Sequence, residues 1–351
     1  MNAMRIAMVA PPWFELPPRG YGGIEAMCAD LVDRLVARGH EVALVGVGRN
    51  GTAAGEFFAT SDVPRADHLG QALPELVHAL SLLDVLSELD VDVVHDHTMA
   101  GPLLARGRDV PTVVTAHRSV TGETGRYYRG LGDSVHMVAI SHAQRAAAAD
   151  LNWVGTVHNA VDVERFPFRR EKEDFALFLG RVSPDKGITQ AIAAAAEAGL
   201  PLRIAAKCRE AEEHEYFRDV VEPLLGGGAE WLGEVDGATK LELLAAARCL
   251  LFPIQWDEPF GMVMVEAMAC GTPVVALRRG SVREVVAPGE TGFTCDDHAG
   301  LVAALRRVGE LSPDRCRTEA ERRFDVRSMA TRYEHVYQAV TAAPSFAERA
   351  V

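Results

Sequence analysis

Residues 253–284 constrain this chain more than any other stretch. They read Pro-Ile-Gln-Trp-Asp-Glu-Pro-Phe-Gly-Met-Val-Met-Val-Glu-Ala-Met-Ala-Cys-Gly-Thr-Pro-Val-Val-Ala, then Leu277, two arginines and Gly280-Ser281-Val282-Arg283-Glu284. The run from Arg248 to Phe252 predicts an apolar strand that feeds a loop holding Asp257, Glu258 and Pro259. A helix is expected to open near Phe260-Gly261, with Met262, Val263, Met264, Val265, Ala267 and Met268 burying it on most sides. Gly271, with Pro273 two residues on, is the usual ending of such a helix. Pro273 to Leu277 reads as a second buried strand. The unit is strand, loop, helix, strand. The start of its helix suits an anion or a cluster of hydroxyls.

Two carboxylates frame that helix start: Glu258 before it and Glu266 inside it, eight positions on. A buried helix has no structural need for Glu266, because an unpaired buried carboxylate is costly. One reading pairs it with a nearby arginine or has it cap a neighbouring helix. A glycosidase pair is another. At about 1.5 Å of rise per residue the two would stand roughly 12 Å apart along a helix. Glycosidase carboxyl groups sit about 5–9.5 Å apart, so the spacing disfavours that reading.

Glu258 and Glu266, set in Glu-Pro-Phe-Gly-(x)4-Glu-Ala-Met-Ala-Cys-Gly-Thr-Pro-Val, resemble the signature of the retaining glycosyltransferases of family 4. The match is long and specific. The resemblance implies an α/β chain of the GT-B fold, two Rossmann-like domains facing across a cleft. It implies sugar transfer from a nucleotide donor and leaves the acceptor open.

The rest of the chain fits those bounds. Two domains of ordinary size are the natural prior for 351 residues. A net charge of −13 argues against a general nucleic-acid footprint. The first 162 residues hold 12 Arg, no Lys and 19 Asp plus Glu, a balance of 12 − 19 = −7, which argues against a broad polybasic membrane face. The six cysteines show no paired metal or redox spacing and read as reduced thiols. With no signal peptide or membrane span in the sequence, a cytoplasmic location is expected.

Arg5 to Ala10 predicts the first strand, and Pro11 to Gly23 a loop with Trp13, Phe14, Arg19 and Tyr21. Ile24 to Arg38 has helical periodicity. Gly22 and Gly23 are either a plain turn or a place where phosphate approaches backbone N–H groups. The resemblance assigns them to the donor diphosphate. Glu41 to Val47 predicts the second strand, Asn50 to Asp67 an irregular excursion, and Leu69 to Leu89 a helix. Asp90-Val91-Asp92 has the look of a metal motif but precedes its strand, whereas ligand sites lie at carboxyl ends. His95-Asp96-His97 does fall at that end, as a cleft wall or a helix cap. Thr112 to Ala116 is another strand, ending at His117-Arg118. The resemblance places His117 beside the reacting sugar carbon. Trp13, His97 and Arg118 are acceptor-side candidates. Residues 120–133 are either a mobile loop or a surface helix. Ser141 is expected to cap the Ala-rich helix ending near Asp150. At 160 the family usually has glycine and this chain has alanine, which puts the local turn in question.

Phe175 to Leu179 predicts the first strand of the second domain, followed by Gly180-Arg181-Val182-Ser183-Pro184-Asp185-Lys186-Gly187 and a helix through Gly199. A strand, a loop with Arg181 and Lys186, and a helix start form an anion site or a patch of solvated charge. The resemblance assigns both cations to phosphate. Lys207, after the strand Leu202 to Ala206, is a candidate for ribose or phosphate, and Val235, after another strand, for the nucleobase through its backbone. Gly280 to Glu284 and Gly289 to Phe293 are expected to close the sheet.

These readings give three segments: an acceptor-side domain over 1–162, a nucleotide-sugar domain over 163–325, and a C-terminal helix in 326–351 that crosses back toward the first. The donor is a nucleoside diphosphate sugar and the acceptor a hydroxyl. Configuration is retained by front-face attack without a metal or other cofactor. Glu266 takes the ribose hydroxyls; Glu258 and the backbone of Phe260, Gly261, Met262 and Val263 take the donor sugar; His117, Arg181, Lys186 and Glu258 act in catalysis. A GT-B sugar-nucleotide epimerase or phosphorylase, or a silent sugar-nucleotide binder, are the competing classes.

Overall fold

A computed structural model describes residues 3–20 and 22–342. Tyr21, part of the first glycine loop, lies outside the described residues, as does the tail of the 326–351 segment beyond Ala342. The chain forms two compact units, one made of the residues up to Ala160 together with those from Val326 onward, the other Val161–Asp325.

The first unit carries seven strands: β1 (Arg5–Val9), β2 (Glu41–Gly46), β3 (Glu56–Ala59), β4 (Val93–Asp96), β5 (Thr112–Ala116), β6 (His136–Ala139) and β7 (Trp153–Thr156). They pair in parallel in the order β3-β2-β1-β4-β5-β6-β7. Parallel strands buried on both faces read as unbroken apolar runs, and β1 and β2 are of that kind. The final helix, Val326–Thr341, buries Met329, Tyr333, Val336 and Tyr337 in the same core as Ile6, Met8 and Leu31.

The second unit carries six strands: β8 (Ala176–Arg181), β9 (Leu202–Lys207), β10 (Ala229–Gly233), β11 (Cys249–Phe252), β12 (Val274–Leu277) and β13 (Gly292–Cys295). They too are parallel, in the order β10-β9-β8-β11-β12-β13. Both sheets are doubly wound. In each, the order reverses once: between β1 and β4, and between β8 and β11. Loops that leave the carboxyl ends of strands at such a reversal diverge and leave a crevice, the usual ligand site of this architecture.

Several sequence expectations need correction. The excursion Asn50 to Asp67 contains an edge strand, β3, and β7 is an edge strand that the sequence reading lacked; both are only four residues long and neither contains a fully buried residue. Gly280 to Glu284 does not join the sheet. Gly280 has φ 52° and the Ser281 amide donates to the Glu258 carbonyl at 3.0 Å, which turns the chain into a short helix, Val282–Val285. Residues 122–131 are a helix. Ala160 is buried, and no non-glycine residue among those described has positive φ, so the alanine sits there without backbone strain.

Candidate functional site

In the second unit the reversal point is lined by the loops after β8 and β11. Arg181 ends β8 in register with Lys207 at the end of β9, so two cations stand side by side at the carboxyl edge. A single 3-10 turn, Pro184–Lys186, and then Gly187 lead into the helix Ile188–Ala198. The neighbouring loop is tied to this one: the Gln255 amide donates to the Asp185 carbonyl at 2.8 Å. That tie brings Lys186 Nζ to 2.6 Å from Glu258 Oε2, with both side chains mostly buried. Lys186 also stands 5.2 Å from the centre of the Trp256 ring, a cation–π distance. Ser183 Oγ and Trp256 Nε1, in these same two loops, are buried without a hydrogen-bond partner among the described residues.

Glu258 is placed by backbone. Ser281 Oγ donates to the Phe260 carbonyl at 2.7 Å, and the Gly280 amide to Asp257 Oδ1 at 3.0 Å. A Cβ on Gly280 would come within 2.6 Å of the Glu258 nitrogen. Gly261, with φ 76°, is the N-cap of the helix Met262–Ala269. The helix buries Met264, Val265, Ala267, Met268 and Ala269, while Met262, Val263 and Glu266 form its half-open side. This corrects the expectation of burial by Met262 and Val263. Positions three and four apart share a helix face, so Glu266 lies over the same stripe that begins at the helix start. Phe260 itself is packed away, 6.0 Å from the Phe324 ring.

Each carboxylate has a cation. Glu266 Oε1 accepts from Lys240 Nζ at 2.7 Å. Lys240 rides in the first turn of the helix Gly237–Ala246, which Asp236 caps by accepting from the Thr239 amide at 2.8 Å. Lys207, buried, donates to Glu210 at 2.6 Å, and Arg181 stands 3.7 Å from Glu213. Glu210 is held low, to about 2, by its hydrogen bond with Glu213 and then Lys207, while burial raises Glu213. Val235 follows β10 and is half-buried.

In the first unit the reversal point falls between β1 and β4. Gly22 has φ 142°, and a Cβ there would lie 2.9 Å from Pro18, so local structure explains it. A Cβ on Gly23, the first helical residue, would meet nothing within 4 Å, so packing gives no reason for glycine there. His117 follows β5 and is half-buried. Its turn is clamped by Gln144, whose amide donates to the Ala116 carbonyl at 2.8 Å and the Arg118 carbonyl at 2.7 Å. Trp13 and His97 are buried and Arg118 is exposed. Asp92, far from these ends, accepts from the Arg5 amide at 2.7 Å where β1 begins.

Sequence reasoning missed Lys240, Gln144 and Trp256 as site residues. Gln144 had a signal, since Ser141-x-x-Gln144 is the capping-box pattern and Ser141 does accept from the Gln144 amide at 3.0 Å. Lys240 had none, because its link to Glu266 is purely tertiary.

Two doubly wound units, one with paired cations at its reversal point, define a nucleotide-binding α/β protein of the two-domain Rossmann type. The model of the Glycosyl transferases group 1 family matches residues 162–323, and that of Glycosyltransferase Family 4 matches residues 21–165. The chain is 29% identical to a phosphatidyl-myo-inositol mannosyltransferase of Mycolicibacterium smegmatis over 97% of this chain and 95% of that one. It is 28% identical to a glycogen synthase of Mycobacterium tuberculosis, over 96% and 95% of the two. The crystal structure of AviGT4, a glycosyltransferase involved in avilamycin A biosynthesis, superposes with a TM-score of 0.73 at 29% identity, covering 97% of this chain and 99% of that one. The chain belongs to the family 4-like glycosyltransferases of the GT-B fold. No helix among the described residues is long and apolar enough to cross a membrane.

Proposed function

We propose that this glycosyltransferase moves a sugar from a nucleoside diphosphate sugar to an acceptor hydroxyl with retention at the anomeric carbon and without a metal ion. The observation that carries the donor site is the Lys186–Glu258 pair at 2.6 Å, beside Arg181 and at the reversal point of a doubly wound sheet. Arg181 and Lys186 take the diphosphate, joined by the orphaned Ser183 Oγ and Trp256 Nε1 as further donors. Glu266, steadied by Lys240, takes the ribose hydroxyls. Glu258 and the backbone from Phe260 to Val263 take the sugar, Lys207 lies toward ribose or phosphate, and Val235 toward the base. Gly22, Gly23 and His117 serve donor diphosphate and sugar from the first unit, with Trp13 and Arg118 on the acceptor side; His97, a candidate there by sequence, is buried with both ring nitrogens engaged by His117 and Met8.

In the chemical step the bond from the anomeric carbon to the diphosphate oxygen breaks, and the acceptor oxygen bonds the same face. The acceptor proton passes to the departing phosphate, so no protein nucleophile is needed. Fixed cations then supply the leaving-group stabilisation that a metal gives elsewhere. Relatives named for a phosphoinositide and for glycogen support the reaction class and differ in acceptor, so the acceptor is not carried over.

The test begins with a thermal-shift screen of nucleoside diphosphates and their sugars, since ligand bound to the folded state raises apparent stability. The stabilising donor is then offered to a panel of hydroxyl acceptors with and without excess EDTA, and the product anomer is read by NMR. Retention with EDTA-insensitive turnover is expected. Inversion would overturn the front-face reading, and metal-reversible inactivation the metal-free one. Consumption of the donor by isomerisation alone would overturn transfer itself.

A further inference from the structure

The first unit holds a stack of three histidines at the carboxyl ends of β4 and β5. His95 is fully buried. Its Nδ1 lies 2.7 Å from the Tyr337 hydroxyl and its Nε2 2.8 Å from Thr115 Oγ1, which in turn bonds the Tyr333 hydroxyl at 2.9 Å. The His97 ring lies 4.0 Å from that of His95 and 5.2 Å from that of His117, stacked on the latter at 29°. His97 Nδ1 is 2.9 Å from His117 Nε2, and His97 Nε2 is 3.2 Å from Met8 Sδ.

These two contacts fix where the protons are. A thioether sulfur has no proton to give and can only accept. His97 therefore carries its proton on Nε2. Burial disfavours the charged form of both rings: with the neighbouring imidazoles it pushes His97 well below the ordinary histidine range, and with Arg118 it brings His117 to about 3. A neutral His97 protonated at Nε2 has a bare lone pair at Nδ1. The 2.9 Å contact then requires His117 Nε2 to be the donor. A neutral His117 protonated at Nε2 has its lone pair at Nδ1.

We propose that Met8 and His97 lock His117 in the Nε2–H tautomer, so that His117 meets its substrate as a hydrogen-bond acceptor and selects a donor sugar that points a hydroxyl at Nδ1. His97 is a positioning residue acting through His117. The identity of the ligand rests on the function proposed above; the tautomer does not. Gln144, which grips the carbonyls on either side of His117, fixes the ring's backbone and leaves proton placement to His97.

Long-range proton–nitrogen NMR on the full-length, ligand-free protein, labelled with 15N-histidine, reads the tautomers directly. His117 is expected to show a protonated Nε2 and an unprotonated Nδ1 from pH 6 to 8; a protonated Nδ1 would overturn the inference whatever the enzyme does. His97→Asn places an amide oxygen where Nδ1 stood and should keep the tautomer. His97→Phe removes the acceptor and should release His117 to a mixture. Loss of one oriented hydrogen bond predicts a roughly five- to tenfold fall in kcat/KM for His97→Phe, recovered largely in His97→Asn. The kinetic probe is whichever of UDP-glucose, ADP-glucose and GDP-mannose turns over, beside its deoxy analogues; the loss of preference for one hydroxyl should appear in His97→Phe and not in His97→Asn. A His117 tautomer unchanged in a folded His97→Phe would overturn the lock. A tautomer that shifts with no change in donor preference would uphold the lock and remove His117 from the sugar site.

Discussion

The two units put their candidate residues at the same topological place, and the chemistry there is opposite. In the second unit the reversal point holds charge. Lys186, Lys240 and Lys207 each sit within 2.7 Å of a carboxylate oxygen, and Glu258 and Glu266 keep part of their surface open. In the first unit the acids and histidines near the reversal point are buried or half-buried, and burial disfavours their charged forms. Burial pushes Glu25 up to about 8 and Asp96 to about 7, and holds His95 and His117 down to about 3. A cation already paired inside a partly open loop can exchange its carboxylate for an incoming phosphate with little new desolvation. A neutral network cannot grip an anion that way, but it aims hydrogen bonds in fixed directions. Under the function proposed above, the first arrangement suits the charged end of a nucleotide sugar and the second its uncharged groups.

The contrast breaks first at Lys186. Lys186→Ala should lower kcat by roughly 10²–10³, since a fixed charge at the leaving phosphate is worth about 3–4 kcal/mol in the transition state. The fold should survive, because Lys186 sits in a turn and not in the core. Steady-state kinetics beside circular dichroism checks both halves. Near-normal turnover in a folded variant would mean that the charged reversal point is structural.

Glu25 probes the neutral side. Its carboxyl stays protonated in the folded chain up to about pH 8 but ionises near 4.5 when unfolded. The folded state binds the extra proton, so the stability this group contributes is full below 4.5 and is lost as pH rises toward 8. Glu25→Gln removes that loss. Its stability relative to wild type should improve by about 2–3 kcal/mol between pH 5.5 and 7.5, at roughly 1.4 kcal/mol per pH unit. The pH dependence of the difference is the readout, from denaturant unfolding at both pH values, and it cancels any fixed packing cost of the amide. A difference independent of pH would show that Glu25 is ionised in the fold and the contrast overstated.

Most of the charged side could be read from sequence and most of the neutral side could not. Arg181, Lys186, Glu258 and Glu266 stand in contiguous strand-loop-helix segments whose chemistry is local. What escaped was pairing across segments: Lys186 with Glu258 over 72 residues, Lys240 with Glu266 over 26. In the first unit His117 and His97 announced themselves at strand ends. Their stack with His95 did not, because His95 is sealed in by Tyr333 and Tyr337, more than 200 positions away. Edge strands β3 and β7 were lost for a related reason, since half-buried four-residue runs carry no period.

The two carboxylates of the charged side should separate in their effects. Glu258 touches the lysine assigned to the leaving phosphate, so Glu258→Gln should lower kcat at least about tenfold while bare nucleoside diphosphate binds nearly as before. Glu266 lies on the half-open helix face beyond, and Glu266→Gln should raise KM for the donor about tenfold with a smaller change in kcat. Calorimetry with nucleoside diphosphate alone, set beside the kinetics, distinguishes them; the reverse pattern would exchange the two assignments. Because Glu258 and Lys186 share one contact, the double variant should lose less than the sum of the singles.

The smallest effect tests whether the second ion pair is part of the same device. Lys240 is one-third exposed, so its pairing with Glu266 is worth only about 0.2–1 kcal/mol to the fold. Its proposed value is orientation: by bonding Oε1 it leaves the other oxygen of Glu266 to meet the ribose. Lys240→Met keeps the apolar stem and removes the charge. The donor KM should then rise about two- to fivefold, in keeping with one partly solvated hydrogen bond, while kcat holds within about twofold. The same variant in a Glu266→Gln background should change nothing further, since the group it orients is gone. A fall in kcat as large as that of Lys186→Ala would instead place Lys240 at the departing phosphate, and the two ion pairs would then form one cationic pocket rather than a phosphate grip beside a ribose grip.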